Sequence, residues 1–338
     1  MKIKEIFKNH TLEREIYFAF ETILKGCSLT IDVQKNTIIP SLQKSDRSPV
    51  TIADFGVQAI VGHDLDQVFP TDPLVAEESS ELLQQPKSGT TLEQVTQYVK
   101  KIIPTATSSQ VCNWIDKGIA LPDRRFWTLD PIDGTKGFLR QSQYALALAL
   151  IIDGQIQIGI LGCPSLCNLK DPSQTGLGCI VIAAKNGGSW LAWLDNPHEF
   201  HKISVSECND IHQARVLRSY ESQHTNPIKV ATIIQSLEIK APAIHMDSQA
   251  KYTVLASGNA ELLFRLCPND QPHRHEHIWD HAAGIIILEE AGGKSSDTLG
   301  KSLDFSCGAK LSKNQGILAS NKFLYSSSLK AVLEVAKS

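Results

Sequence analysis

Apolar residues recur at helical spacing near the start of the chain, at Leu12, Ile16, Phe20, Ile23 and Leu24, and again after Pro49, at Val57, Ile60, Val61, Leu65 and Val68. Spacings of three and four predict two amphipathic helices. Further on the period changes. Residues 144–152 run Tyr-Ala-Leu-Ala-Leu-Ala-Leu-Ile-Ile, stop at Asp153-Gly154 and resume as an apolar stretch over 155–161, which predicts a hairpin of buried strands. Residues 179–184, the turn Lys185-Asn186-Gly187-Gly188 and residues 189–194 repeat the pattern, so an antiparallel sheet is expected here. The polar stretch 81–117, with a helical patch at 95–103, predicts an insertion outside that sheet. Beyond about His201 helices alternate with short strands, including a helix at about 248–256 and a strand at 261–266. The expected organisation is two lobes. Residues 1–200 form an α+β lobe with a large antiparallel sheet, residues 201–338 a smaller α/β lobe, and the active site lies between them.

Composition narrows the class. At 338 residues the chain exceeds the usual reach of one core, and 42% apolar with 20% charged residues is ordinary for a folded globular protein. The run 144–152 falls far short of the roughly 20 residues that span a bilayer, so no membrane association is expected. Met1-Lys2-Ile3-Lys4-Glu5 lacks a charged-then-apolar signal pattern, and the expected location is cytoplasmic. A net charge of −3, from 33 basic and 36 acidic residues, with no long basic block, argues against a nucleic-acid polymer as partner. A small anionic ligand stays open. The eight cysteines show no repeated CxxC spacing and read as reduced structural thiols; Pro164 makes the Cys163–Cys167 pair a turn, not half a zinc site.

The chemistry concentrates in acidic groups. Asp130-Pro131-Ile132-Asp133-Gly134-Thr135 follows the apolar strand Phe126-Trp127-Thr128-Leu129, so two carboxylates leave a sheet together. Glu77 follows Leu74-Val75-Ala76, Asp54 lies in Ser48-Pro49-Val50-Thr51-Ile52-Ala53-Asp54, and Asp280 opens an apolar helix that stops at Gly292-Gly293. An isolated aspartate is most often a cap or a turn residue. Together these groups suit magnesium, which prefers oxygen ligands and is held by a few carboxylates plus substrate phosphate. Pro131 fixes the backbone between the aspartates and leaves the Ile132 carbonyl as a further ligand. Two ions sharing Asp130 would clamp the attacking and leaving oxygens of a phosphoryl transfer.

With these motifs the chain resembles the lithium-sensitive, magnesium-dependent phosphatases of the inositol monophosphatase superfamily, from about Pro49 to about Asn321. Val75-Ala76-Glu77-Glu78-Ser79 is similar to the first acidic motif, WTLDPIDGTKGFLR (127–140) to the second and WDHAAGIIILEEAGG (279–293) to the third. Lys136-Gly137-Phe138-Leu139-Arg140 resembles the 3′(2′),5′-bisphosphate nucleotidases within that superfamily, as does Asp247-Ser248-Gln249-Ala250-Lys251-Tyr252 followed by Arg265. The resemblance implies a layered αβαβα fold. It implies two or three Mg2+ ions on Glu77, Asp130, Asp133, Asp280 and the Ile132 carbonyl, with Asp54 and Thr135 activating a metal-bound water. Substrate contacts are implied for Thr135, Lys136, His224, Ser248, Lys251, Arg265 and Asp280, with Ser248 and Lys251 expected on one helical face. The implied reaction converts adenosine 3′,5′-bisphosphate to AMP and phosphate, extends to the sulfated analogue, serves sulfur metabolism and is inhibited by lithium. The partner is then a small nucleotide, and the protein a monomer or homodimer. An inositol polyphosphate 1-phosphatase or inositol monophosphatase is the nearest alternative, and a non-catalytic nucleotide sensor the alternative from another class. His273, His275, His277 and His281 alternate in the manner of a zinc loop but are expected to be solvated.

Overall fold

The computed structural model describes residues 1–35, 39, 41–44, 48–220, 225–267 and 274–335. A one-turn helix α1 (Ile3–Ile6) precedes the long α2 (Glu13–Gln34). The hairpin of β1 (Ser41–Gln43) and β2 (Pro49–Thr51) leads directly into α3 (Ile52–Val68). After β3 (Leu74–Ala76), α4 (Gly89–Lys100) and α5 (Ser108–Ile115) pack on α3, so the polar insertion lies outside the sheet, as expected. Then come β4 (Arg125–Asp133), the short α6 (Thr135–Leu139), and β5 (Ala145–Ile152), β6 (Gln155–Cys163), β7 (Cys179–Ala184), β8 (Gly188–Trp193) and β9 (His201–Ile203). Strands β3 to β9 form one seven-stranded sheet in chain order. Its β4–β9 part is antiparallel, but β3 and β4 run parallel, a departure from the fully antiparallel expectation. A parallel pair needs a long crossover, and the segment carrying α4 and α5 supplies it.

The second sheet joins β10 (Val216–Arg218), β11 (Ile244–His245), β12 (Leu262–Arg265), β13 (Lys294–Ser296) and β14 (Ile317–Ser320) in the order β11-β10-β12-β14-β13. Its helices are α7 (Pro227–Ser236), α8 (Ala250–Ala256), α9 (Ala282–Glu290) and α10 (Tyr325–Val335). Helices α2 and α3 cover one face of the large sheet, α8 and α9 fill the space between the sheets, and α7 and α10 cover the far side. This is the layered αβαβα order.

The alternation along β5 explains the layering. Leu146, Leu148 and Leu150 enter the core against α2 and α3, whereas Ala145, Ala147 and Ala149 face the core shared with α8 and α9. Small residues on that side let α9 come close. Gly159 on β6 shows how close, since an added Cβ would collide with the Ala283 backbone and with Ile286 of α9. At the β5–β6 turn, Asp153 and Gly154 both have positive φ, 51° and 72°, the geometry of a two-residue hairpin loop. Among the described residues no helix is long and apolar enough to cross a membrane.

Candidate active site

Strand β4 does not end at Leu129 but continues to Asp133, in the sheet's interior, second from the edge. In an unbroken strand, residues three apart point to opposite faces. Here Asp130 pairs with Ala147 and Asp133 with Ala145, so Pro131 and Ile132 stand opposite Leu146 alone. That extra residue is a β-bulge, a place where a proline's missing N–H is tolerated. It brings the two carboxylates to one side. Burial, reinforced by the charges of Glu77, Asp133 and Asp280, pushes Asp130 well above the usual carboxylate range. Its Oδ1 is buried without a hydrogen-bond partner. Asp133 is also raised by burial, although Lys251 and Arg265 pull the other way.

Asp54 enters from the start of α3, where Thr51 and Asp54 form a reciprocal capping box. The Thr51 N–H and hydroxyl donate to Asp54 Oδ2 at 2.7 and 2.6 Å. Burial outweighs these bonds and lifts Asp54 to about 6. Its free Oδ1 lies 3.4 Å from the Thr135 hydroxyl, which is also 3.2 Å from the Ile132 carbonyl oxygen. Gly134, at φ 89°, makes the left-handed turn between Asp133 and Thr135.

Glu77 follows β3, its N–H donating to the Leu129 carbonyl at 3.3 Å. Two neighbours have no role in the site expected from the sequence. The Lys44 ammonium, delivered by the β1–β2 hairpin, lies 2.6 Å from Glu77 and 2.5 Å from Glu78. Glu78 is raised to about 8 by burial and then by Glu77. Lys44 is raised too, the two carboxylates overcoming the opposing effect of its burial. Lys44 stands in no distinctive motif, and Glu78, though inside the first acidic motif, reads only as the neighbour of Glu77, so spacing alone gives neither a role.

Asp280 departs from expectation in one respect. It is not the first residue of its helix, because α9 starts at Ala282 with His281 at the N-cap, and Asp280 lies in the preceding turn. At the other end Gly292 has φ 92°, and the Gly292 and Gly293 N–H groups close on Glu289 and Leu288, the stop read from the sequence. Burial and then Asp133 push Asp280 well up, with Arg265 opposing. The Arg265 guanidinium lies 4.0 Å from Asp280 and 2.8 Å from Glu276. Despite its burial, Glu276 is held well below the usual range by Arg265 and His281. Burial lowers His281 to about 4 and keeps it neutral, so its Nδ1 accepts from the Tyr252 hydroxyl at 3.0 Å while Nε2 faces Glu276 at 3.4 Å. Glu276, Asp280 and His281 offer ligand atoms within 4.8 Å of one another, but Arg265 already supplies a cation to this trio.

The expected solvated histidine loop is therefore corrected. His281 is buried, His277 stacks on Trp279 at 4.3 Å, and His275 Nδ1 meets the Asn314 carbonyl at 3.2 Å. The apolar Ile278 and Trp279 draw this segment against the fold. His273 lies outside the described residues.

Ser248 and Lys251 do not share a helical face as expected. Ser248 precedes α8 in a left-handed conformation, φ 68°, and its hydroxyl accepts from the Ala250 N–H at 3.2 Å. Lys251 is buried within α8; burial lowers it to about 8, and its ammonium reaches Ser219 Oγ at 3.2 Å and the Met246 carbonyl at 3.4 Å. Coupling to Asp133 places its charge within reach of the acidic cluster. Lys136 is half-buried in α6. His224 falls outside the described residues. All eight cysteines are free thiols.

Four carboxylates from three segments thus repel one another in a buried place, with one carboxylate oxygen unpartnered and a lysine ammonium drawn in beside Glu77. All the candidate donors are hard oxygens. That is the donor chemistry magnesium takes.

The sequence matches the Inositol monophosphatase family over residues 11–336. It is 38% identical over 342 residues to the 3′,5′-bisphosphate nucleotidase 2 of Arabidopsis thaliana, covering 95% of this chain and 96% of that protein. To the 3′(2′),5′-bisphosphate nucleotidase of Dictyostelium discoideum it is 39% identical over 314 residues, covering 90% and 92%. Among solved structures it is similar to a Thermotoga maritima IMPase, with TM-score 0.65, 18% identity and coverage of 96% and 98%. The inositol monophosphatase of Anabaena (Nostoc) sp. PCC 7120 gives TM-score 0.60, 19% identity and coverage of 96% of each chain. At such identities the structural likeness concerns the fold alone.

Proposed function

The chain belongs to the inositol monophosphatase family, and on that premise we propose that it is a magnesium-dependent phosphatase that converts adenosine 3′,5′-bisphosphate to AMP and phosphate, and the sulfated analogue likewise. The observation that carries this reading is the mutual repulsion of Glu77, Asp130, Asp133 and Asp280 at one buried place, beside the contact between Thr135 and Asp54. Glu77, Asp130, Asp133, Asp280 and the Ile132 carbonyl would hold two or three Mg2+ ions. The bound metal would supply positive charge to the phosphate and acidify water.

The chain's own groups do the rest. With a pKa lifted to about 6, Asp54 is a proton acceptor matched to near-neutral pH, and the Thr135 hydroxyl relays the proton to its Oδ1. Lys251 and Arg265 set cationic charge beside Asp133, where the nucleotide's phosphates would approach. Lys136, His224 and Ser248 would complete the substrate contacts. Displacement at phosphorus depends on position and charge, so no covalent enzyme intermediate is needed. The lobes 1–200 and 201–338 would then share the site, the first supplying most of the metal ligands and the second Asp280 and most of the nucleotide contacts. One chain contains every residue named, and a monomer or homodimer in the cytoplasm suffices.

A side-by-side assay tests this. Phosphate release from adenosine 3′,5′-bisphosphate is expected to exceed that from inositol 1,4-bisphosphate and to require magnesium. Preference for the inositol compound would replace the substrate assignment, and nucleotide binding without phosphate release would make the protein a sensor.

A further inference from the structure

Gln249 is nearly fully buried, at 2% exposure, and carries no charge, yet it touches both acidic segments that straddle the two sheets. Its backbone N–H donates to Asp133 Oδ2 at 2.6 Å. Its side-chain amide donates to the Trp279 carbonyl at 2.8 Å and accepts from the Gly284 N–H at 3.2 Å. The second pair of bonds brackets Asp280. Trp279 precedes it directly, and Gly284 lies in the first turn of α9, where backbone N–H groups lack partners within the helix. A single amide thus satisfies one orphan donor and one carbonyl across the segment that bears Asp280.

The backbone around Gln249 is built for this contact. Ser248 adopts a left-handed conformation, φ 68°, which few residues other than glycine accept without cost. That turn aims the Gln249 N–H at Asp133. The corner is fixed against the β4–α6 segment from the other side as well: Arg140 donates to Asp247 at 2.7 Å, and an added Cβ on Gly134 would lie 3.1 Å from Ser248 Cβ. We propose that Gln249 is a positioning residue that sets the separation of Asp133 from Asp280, and with it the affinity of the site for divalent cations. Two ligands on different elements hold a metal more tightly when surrounding hydrogen bonds fix their placement before the ion arrives. Gln249 links the end of β4, through its backbone N–H, to the start of α9, through its side-chain amide, and so holds the two acidic ends in register.

This inference rests on the proposed metal site, and the experiment separates the two. Gln249→Leu removes both amide bonds at nearly constant volume; Gln249→Ser does so with room for water and serves if the leucine variant does not fold. Magnesium binding is measured calorimetrically on purified full-length protein, alongside phosphate release from adenosine 3′,5′-bisphosphate. Outer partners of metal ligands typically govern about 10- to 100-fold in affinity, so a magnesium dissociation constant raised about ten-fold is expected. The nucleotide KM at saturating magnesium should stay within about two-fold, because Gln249 has no place among the nucleotide contacts. A variant that melts earlier but binds magnesium as tightly as wild type would overturn the positioning role and leave Gln249 a packing residue. A wild-type protein that binds no magnesium would overturn the metal site itself.

Discussion

At the scale of single residues, burial decides what each acidic group does. Asp54 and Asp133 have the same side chain and both are raised, but for different company. Asp54 is set at about 6 by burial against the bonds from Thr51, whereas Asp133 feels Lys251 and Arg265. Asp54 keeps its second oxygen near the Thr135 hydroxyl, at 3.4 Å. Replacing Thr135 with alanine should therefore leave the fold and magnesium affinity intact and lower kcat by about a hundred-fold, the usual scale for a positioned proton-transfer group. Steady-state kinetics with a melting curve check it; an unchanged kcat would remove Thr135 from the proton path. Lys44 is the residue the sequence hides best. A lone lysine in a polar stretch reads as solvated surface, and only the β1–β2 hairpin reveals that its ammonium is drawn between two glutamates.

Among elements, the decisive fact is the close approach of α9 to the large sheet. Gly159 leaves no room for a side chain against Ala283 and Ile286, so Gly159→Val should push the helix outward. Overpacking of this kind costs about 1–3 kcal/mol. It should also weaken magnesium binding, since Asp280 rides on the turn before that helix. A variant with lower melting temperature and wild-type metal affinity would show that the helix's seat and the site are independent. The alternation Ala-Leu-Ala-Leu in β5 announces this packing in the sequence, because the two residue types go to different cores. The bulge at Pro131 and Ile132 is not announced. A proline in an apolar strand reads as its end, and only the pairing of Asp130 and Asp133 with Ala147 and Ala145 shows that the ladder continues. Gln249 is equally silent, since an amide between Ser248 and Ala250 carries no chemical signature until its three partners are seen.

For the whole molecule, the layered order brings together groups more than two hundred residues apart, from Asp54 at the start of α3 to Asp280 before α9. Helical and strand periods made those layers legible. What periods do not convey is the electrostatic cost of the assembly. Asp54, Glu78, Asp130, Asp133 and Asp280 all have folded-state pKa values above their ordinary ones. Their folded form binds more protons than the unfolded chain, so the stability they contribute is present below about pH 4 and falls as pH rises through 6 and toward 8. A bound divalent cation reverses that penalty. The rise in melting temperature caused by magnesium should therefore grow from pH 5 to pH 8, whereas a rise independent of pH would mean that the ion does not sit among these carboxylates.

The rate of phosphate release from adenosine 3′,5′-bisphosphate, followed against magnesium concentration in wild type and in Asp133→Asn, bears most directly on the account. A saturable dependence on magnesium in wild type is predicted, with turnover at least about a hundred-fold lower in a folded Asp133→Asn protein, as befits loss of a ligand to the cation that neutralises the reacting phosphate. Full activity of that variant, or wild-type turnover indifferent to magnesium, would contradict it.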